Sequence, residues 1–216
     1  MSEVKKTVAS MFPTYVWIIE LPGELTQSIN RSVLPLIERK VGRDPQSPEK
    51  GVYLQTEQNL HLEPEFAELV KQIHAYADSA LKFLNLAYEN IQITGCWANI
   101  SGTGNSHREH AHPNNYLSGV YYVETHPGGN TIVFHDPRPQ ASIMKPRVKQ
   151  MTLENTDHAI VEVAPGNMLL FPAWLRHSVP ANQSSHRRIS VAFNLMFQQF
   201  AETMSTPFWK ASLDKS

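Results

Sequence analysis

The sequence predicts an α+β protein, mainly β, in which two helices come first and an arrangement of short strands follows. Two stretches of helical periodicity fall within about residues 1–88, and short β-type runs separated by turn residues fill about residues 89–200. Many short strands at such spacing are typical of a sandwich, jelly roll or barrel. No repeat or low-complexity segment divides the 216 residues, so we expect a single domain over residues 1–216.

The N-terminal part predicts one strand and two helices. Residues 15–21 are aromatic and β-branched, which favours a strand. Residues 24–41 carry apolar side chains at helical spacing, although Pro35 should kink or shorten this helix. The clearest helix opens at Pro64, and its apolar stripe extends over residues 66–84. Because both helices precede the strands, we expect them to cover one sheet from outside.

The C-terminal part predicts eight strands, bounded by turn sequences rich in Gly, Pro, Asn and Ser. They are residues 91–100, 116–124, 131–135, 150–153, 159–163, 168–172, 177–179 and 188–196.

Composition excludes several classes of protein and partner. The formal net charge of −1 argues against a nucleic-acid or membrane partner recruited by bulk charge. The single cysteine, Cys96, excludes an intramolecular disulfide, and no apolar run is long enough to span a membrane. The first ten residues lack the apolar core of a signal peptide. We therefore expect a cytoplasmic location, whereas the oligomeric state is not predictable from the sequence.

A pair of histidines gives the strongest chemical signal. His110 and His112 are separated by one residue, so in an extended backbone both side chains point to the same side. Such a pair can occupy two adjacent positions on one metal ion, and His177 from a distant strand can supply the third ligand. Neutral imidazole suits Fe, Zn, Cu or Ni, and three protein ligands leave open positions for catalysis.

A second pair competes for the same role. His107 and Glu109 form a His-x-acid sequence, the usual start of a facial triad. In its chemistry this pair matches the facial triad better than two histidines do. By position we favour His110 and His112, which lie closer to the strand that starts near Leu117. Both assignments remain open from the sequence.

The last predicted strand carries a candidate anion site. Alternation places Arg188, Ser190, Ala192 and Asn194 on one face of this strand, and Ile189, Val191, Phe193 and Leu195 on the other. The apolar face belongs against a core. The polar face suits a ligand cavity, where Arg188 can form a bidentate pair with a carboxylate and Ser190 can add a hydroxyl. Arg187 points to the opposite face.

Several motifs together resemble a family of 2-oxoglutarate- and Fe(II)-dependent oxygenases of bacterial and phage origin. The combination is fairly specific, although each motif alone is not, and the resemblance extends over almost the whole chain. The motifs are Phe12-Pro13-Thr14, Trp97-x-Asn99, His110-Ala111-His112-Pro113, Leu117-Ser118-Gly119-Val120-Tyr121-Tyr122, Asp136-Pro137-Arg138, and Arg188-Ile189-Ser190 leading to Phe193-Asn194.

The resemblance implies a double-stranded β-helix with the N-terminal helices packed on one sheet. It also implies Fe(II) as the metal and 2-oxoglutarate as cosubstrate, which is decarboxylated to succinate and CO₂ while one atom of O₂ goes to a substrate. Carried over by position, the ligands of iron are His110, His112 and His177. The residues expected around the cosubstrate are Arg188, Ser190, Asn99 and Tyr121.

One departure from the family pattern concerns His112, because members of the wider superfamily have Asp or Glu there. A third imidazole leaves the Fe(II) site one charge more positive. The metal, and the choice between hydroxylation and other oxygen chemistry, therefore stay open.

Two alternatives compete with an oxygenase. A cupin-type metal enzyme also begins with His-x-His, but it has no need of Arg188 and uses no 2-oxoglutarate. The other alternative is a non-catalytic barrel that binds a small molecule, and its metal content would separate it from both enzymes. The substrate is not legible in the sequence.

Overall fold

The computed structural model describes residues 4–41, 53–88 and 90–201. The strands are β1 Trp17–Glu20, β2 Tyr53–Gln55, β3 Ile91–Ser101, β4 His107–His110, β5 Leu117–Glu124, β6 Thr131–His135, β7 His158–Glu162, β8 Asn167–Pro172, β9 His177–Val179 and β10 Arg188–Phe197. The α-helices are α1 Gly23–Val41, α2 Ala67–Phe83 and α3 Gln198–Ala201, and 3₁₀ turns cover Leu60–Leu62, Pro64–Phe66 and Pro139–Ser142. None of the described helices is long and apolar enough to cross a membrane.

The strands form two antiparallel sheets. The major sheet has the order β1-β8-β5-β10-β3-β2, and the minor sheet has the order β4-β9-β6-β7. Consecutive strands from β4 onward are therefore distributed over both sheets, as in a jelly roll. The predicted fold class, mainly β with a double-stranded β-helix, is confirmed.

The outer face of the major sheet packs against the N-terminal helices. One hydrophobic cluster joins α1 and α2 to the outward side chains of β3, β5, β8 and β10. Helix α1 runs unbroken past Pro35, so the expected shortening is wrong. A proline inside a helix costs about 3 kcal/mol, but burial of a large apolar side chain contributes about 1.5–3 kcal/mol. The buried Val33, Leu36 and Ile37 surround this proline and offset its cost.

A smaller cluster fills the space between the two sheets. It contains Val120, Tyr122, Ile132, Phe134, Val163, Leu169, Phe171 and Leu175. The side chains that alternate with this set in β5 and β8 belong to the outer cluster. The barrel interior is thus a separate compartment from the core beneath the helices.

Three details of the strand prediction differ from the structure. Residues 150–153 form no strand, because Thr152 and Asn155 close a turn in which the Asn155 side chain accepts a hydrogen bond from the Thr152 amide at 2.9 Å. Strands β2 and β4 were not predicted, since both are short and β4 is largely exposed. The other predicted strands are present, with ends that differ by a residue or two.

Candidate metal centre and anion pocket

Pairing between β4 and β9 brings the predicted histidines together. His110 ends β4 and His177 opens β9, and these two residues are direct partners in the antiparallel register. His112 lies two residues beyond β4, where its backbone amide donates a hydrogen bond of 2.9 Å to the carbonyl of Ala173, directly after β8 in the turn that leads to β9. The fold therefore fixes all three backbones at one end of the minor sheet.

The three imidazoles converge on one point. One ring nitrogen from each of His110, His112 and His177 lies within 4.8 Å of the others. The ring centroids are 5.0 Å apart for His110 and His112, and 4.3 Å apart for His110 and His177. Nitrogens bonded to one metal at about 2.0–2.1 Å lie at most about 4.2 Å apart, so small rotations of the rings suffice to bring all three onto one ion. The group can accordingly hold a single metal ion.

Hydrogen bonds and burial prepare these rings as ligands. The Nδ1–H groups of His110 and His177 donate to the carbonyls of Arg108 at 2.7 Å and Leu175 at 3.0 Å, which leaves each Nε2 lone pair free. Burial lowers the pKa of His177 to about 3 and the pKa of His112 to about 4. Both rings are therefore neutral near pH 7, the form that binds a metal.

The competing His-x-acid pair is arranged differently. Glu109 is exposed and forms an ion pair with Arg176, and His135 lies 3.8 Å from its carboxylate. A register shift between His107 and His110 interrupts the alternation in β4, and the Glu109 side chain contacts Arg176 and His135 instead of the histidine group. The ring of His107 lies 4.3 Å from that of His110, but His107 is not among the converging nitrogens. The structure thus brings together the three histidines and leaves Glu109 outside.

Strand β10 places a buried guanidinium in the barrel. Arg188 is only 5% exposed, and Ser190 on the same face is also buried. In the part of the chain that the structure describes, no carboxylate lies within ion-pair distance of Arg188, and its Nε has no hydrogen-bond partner. One terminal nitrogen makes only a long contact of 3.5 Å to the carbonyl of Thr131. A buried cation without a counter-charge is unfavourable, so this pocket is built for an anion.

A small polar cavity extends from the guanidinium of Arg188 to the ring of His107. Its lining includes Arg188, Ser190, Asn99, Tyr53 and His107. Asn99 lies opposite Ser190 in the register, and its Oδ1 accepts a hydrogen bond of 2.5 Å from the Tyr53 hydroxyl. Burial raises the pKa of Tyr53 to about 12, so its hydroxyl stays protonated. Because the ring of His107 also touches that of His110, the cavity reaches the edge of the histidine group.

The expected place of Tyr121 in this pocket is corrected by the structure. Tyr121 belongs to the outer cluster, where its hydroxyl donates a hydrogen bond of 2.7 Å to Asn30. Its neighbour Tyr122 lies opposite Ser190 and faces the barrel interior. The Arg188 guanidinium sits 5.3 Å from the Tyr122 ring centroid.

Tyr122 lies beside Arg188 but was not among the residues predicted around the cosubstrate. Among the described residues, its buried hydroxyl has no hydrogen-bond partner within bonding geometry. Burial raises the pKa of Tyr122, and the positive charge of the nearby Arg188 opposes that rise. The only signal in the sequence was the strand alternation, which says that two adjacent tyrosines face opposite sides but not which of them faces inward.

Other residues of the family motifs, and the nearby Trp174, have structural roles or lie at the edge of the site. Asp136 and Arg138 form a salt-bridged turn, with side-chain distances of 2.7 and 2.9 Å. The mostly buried Trp97 has its ring centroid 6.1 Å from that of His112. Trp174 is more than half exposed in the turn that precedes His177.

Residues 95–194 match the family described as "Putative 2OG-Fe(II) oxygenase". This stretch runs from β3 to β10 and contains the three histidines, Arg188 and Ser190. No curated protein matches the sequence.

Solved structures share the fold over most of the chain. The α-ketoglutarate-dependent epimerase SnoN from nogalamycin biosynthesis is 11% identical, with a TM-score of 0.61 over 85% of this chain and 79% of that one. A prolyl-4-hydroxylase from Pseudomonas putida is 13% identical, with a TM-score of 0.58 over 86% and 94% of the two chains. HygX from Streptomyces hygroscopicus, solved with nickel and 2-oxoglutarate, is 13% identical, with a TM-score of 0.54 over 86% and 83%. Residues 95–194, which carry the histidine group and Arg188, are thus similar to the 2OG-Fe(II) oxygenases, and the chain shares its fold with the solved structures named above.

Proposed function

We propose that this chain catalyses a hydroxylase-type oxidation in which His110, His112 and His177 hold Fe(II), and Arg188 and Ser190 bind the distal carboxylate of 2-oxoglutarate. The observation that carries this proposal is the buried guanidinium of Arg188, which has no carboxylate partner among the described residues. Arg188 lines the same cavity as His107, whose ring contacts that of His110. A dicarboxylate cosubstrate needs a metal to bind one end and a cation to bind the other, and this barrel contains candidates for both.

The residues around Arg188 fit a carboxylate ligand. The guanidinium can donate two parallel hydrogen bonds to a carboxylate, and the Ser190 hydroxyl can donate a third. Asn99 and Tyr53 add polar groups to the same lining. The small apolar cluster beneath them excludes water and strengthens the attraction between the opposite charges.

The histidine group fits a divalent metal with open coordination positions. Three imidazoles supply three nitrogen ligands and no negative charge, and backbone carbonyls fix the tautomers of His110 and His177. Bound Fe(II) would supply O₂ activation, coupled to decarboxylation of 2-oxoglutarate to succinate and CO₂, with the second oxygen atom passing to the substrate. The chain's own contribution is to orient the rings of His110 and His177 through the carbonyls of Arg108 and Leu175, and to keep His112 and His177 unprotonated.

The cupin alternative and the non-catalytic alternative are less well supported. Neither requires a buried, unmatched arginine next to the metal-binding group, whereas binding of a dicarboxylate does. The structural relatives include an epimerase and a prolyl-4-hydroxylase, so the shared fold alone does not fix the final oxidation step. We propose a small-molecule or peptide substrate, and we keep a single catalytic domain and a cytoplasmic location as predictions.

The test is anaerobic loading of the purified chain with Fe(II), addition of 2-oxoglutarate and O₂, and measurement of succinate with and without candidate substrates. We expect succinate from the wild type and none above background from His177→Ala. The matched control is His135→Ala, because His135 lies in the same sheet but bonds to Ser178 and not to the histidine group. Metal-loaded wild type that neither forms succinate nor binds 2-oxoglutarate would overturn the proposal.

A further inference from the structure

The connection between β6 and β7 leaves the barrel beside the histidine group. Phe134 near the end of β6 is the register partner of His177. The next residue, His135, donates its backbone amide to the carbonyl of Arg176 at 2.9 Å, and Asp136 and Asp157 then close the base of the connection. The base of this connection therefore lies next to the histidine group.

The middle of this connection, which we call the β6–β7 segment (residues 138–153), has an unusual composition. It holds four of the chain's 19 Lys and Arg residues and none of its 20 Asp and Glu residues. From residue 143 onward every residue of the segment is exposed. Its exposed apolar side chains, at 40–82% exposure, are Ile143, Met144, Val148, Met151 and Leu153.

Two of the cations anchor the segment and two do not. Arg138 pairs with Asp136 through two side-chain hydrogen bonds, and Lys145 forms an ion pair with Asp157. Within residues 4–41, 53–88 and 90–201, no hydrogen bond or ion pair involves the side chain of Arg147 or Lys149. The anchoring pairs fix the segment at its base, while Arg147 and Lys149 are presented to solvent among apolar side chains.

We infer that the β6–β7 segment binds an acidic polypeptide with hydrophobic side chains and presents it to the metal centre, which makes that polypeptide the substrate class of the proposed oxygenase. The inference rests on the proposed function. Charge complementarity selects the acid, because Arg147 and Lys149 have no ion-pair partner among the described residues, whereas Arg138 and Lys145 are already paired with Asp136 and Asp157. Exposed apolar side chains on a long connection are a mark of a binding surface.

The shape of the surface favours a polymer over a small molecule. Sites for small molecules are concave, whereas these side chains are spread along an exposed segment. An extended polypeptide can contact several of them and still reach the histidine group, because the base of the connection is hydrogen-bonded to Arg176, the residue before His177. An anionic lipid surface would also meet cations and apolar groups, and it is therefore an outcome that the experiment must separate.

The probe is a short fluorescein-labelled peptide of alternating Glu and Leu, titrated with the full chain and followed by fluorescence anisotropy. Two matched peptides replace Glu by Lys or Leu by Ser, and vesicles of phosphatidylcholine with phosphatidylglycerol test the lipid alternative. We expect the Glu–Leu peptide to bind best and the vesicles not to bind. Preferential binding of the vesicles, or equal binding of all three peptides, would overturn the inference.

Variants locate the binding surface. The double substitution Arg147→Glu/Lys149→Glu should weaken binding of the Glu–Leu peptide by about fivefold to tenfold, since two exposed attractions become repulsions. The control Lys5→Glu/Lys6→Glu makes the same charge change at exposed positions outside the segment and should leave binding unchanged. Equal affinities of the wild type and the Arg147/Lys149 variant would contradict the inference.

Binding of 2-oxoglutarate to the metal-loaded wild type, measured in parallel, keeps the two proposals separate. If the peptide does not bind but 2-oxoglutarate does, only the inference about the segment fails. If 2-oxoglutarate does not bind, the oxygenase assignment fails, and the peptide titration still decides whether the segment is a binding surface.

Discussion

Adjacent polar residues on the two faces of the major sheet differ in whether the protein supplies their side chains with partners. Arg187 on the helix side is buried and binds both Glu124 at 2.9 Å and Glu38 at 2.8 Å. Arg188 on the barrel side is equally buried and has no acidic partner within the described chain. Tyr121 and Tyr122 repeat the pattern, because only the first hydroxyl is hydrogen-bonded.

The contrast suggests a division of roles: the hydrogen-bonded groups on the helix side stabilise the fold, and the unpaired groups on the barrel side are those that the proposed function assigns to ligand binding. A buried polar group is normally satisfied by the protein, and its removal then costs stability. A buried polar group that the protein leaves unsatisfied destabilises the free protein and gains free energy only when a partner binds. Removal of an outer-face group should therefore change unfolding, and removal of an inner-face group should change binding.

The largest expected effect concerns the histidines of the minor sheet. His177→Ala removes one of the three proposed ligands and should weaken Ni(II) or anaerobic Fe(II) binding by about a hundredfold or more, because loss of an orienting contact alone already costs about tenfold to a hundredfold. His135→Ala, an outward histidine on the neighbouring strand, should leave metal affinity within a few fold. Calorimetry or elemental analysis of the purified variants provides the measurement, and metal retained in His177→Ala would rule out the assigned centre.

Substitution of the two arginines should have opposite consequences, one on ligand binding and the other on stability. Arg188→Ala should cost about 2–5 kcal/mol of 2-oxoglutarate binding while metal content stays intact. Arg187→Ala breaks two charged hydrogen bonds and should lower the free energy of unfolding by about 2–3 kcal/mol with little change in 2-oxoglutarate affinity. Urea unfolding and calorimetric titration of both variants measure the two effects. If both variants lose 2-oxoglutarate affinity, or both lose stability, the proposed difference between the two faces is wrong.

The tyrosine pair should repeat this pattern at smaller magnitude. Tyr121→Phe deletes the hydrogen bond to Asn30 and should destabilise the protein by about 1 kcal/mol. Tyr122→Phe deletes a hydroxyl without a partner and should leave stability unchanged or slightly increased, while weakening 2-oxoglutarate binding several-fold. A clear loss of stability in Tyr122→Phe would show that its hydroxyl has a partner in the free protein.

The smallest effect is expected for the exposed ion pair of Glu109 and Arg176. Glu109→Gln should change the free energy of unfolding by no more than about 1 kcal/mol, because exposed ion pairs contribute little. Metal affinity should stay within about threefold of wild type. This variant also tests the alternative ligand pair, since a large loss of metal would mean that His107 and Glu109 bind it.

The sequence predicted what depends on local pattern. Alternation along residues 188–195 assigned both faces of β10 correctly, because the apolar set Ile189, Val191, Phe193 and Leu195 lies in the outer cluster. It also identified the three histidines that converge. The fold class followed from strand spacing together with the family resemblance.

The features that the sequence did not predict depend on pairing between distant strands. Nothing local says that Tyr122 and not Tyr121 faces Ser190, since the register between β5 and β10 decides it. The exclusion of Glu109 from the metal group likewise depends on Arg176, a partner 67 residues away. Strand β4 is too short and too polar to be recognised without its partner β9.

The most direct test of the account is calorimetric titration of 2-oxoglutarate into metal-loaded, oxygen-free protein, with the wild type and Arg188→Ala compared side by side. The account predicts one binding site per chain in the wild type and a loss of affinity well over tenfold in the variant, with Arg188→Lys recovering part of it because the charge is kept but the planar fork is not. No binding by the wild type at millimolar concentration, or the same affinity in both proteins, would contradict it.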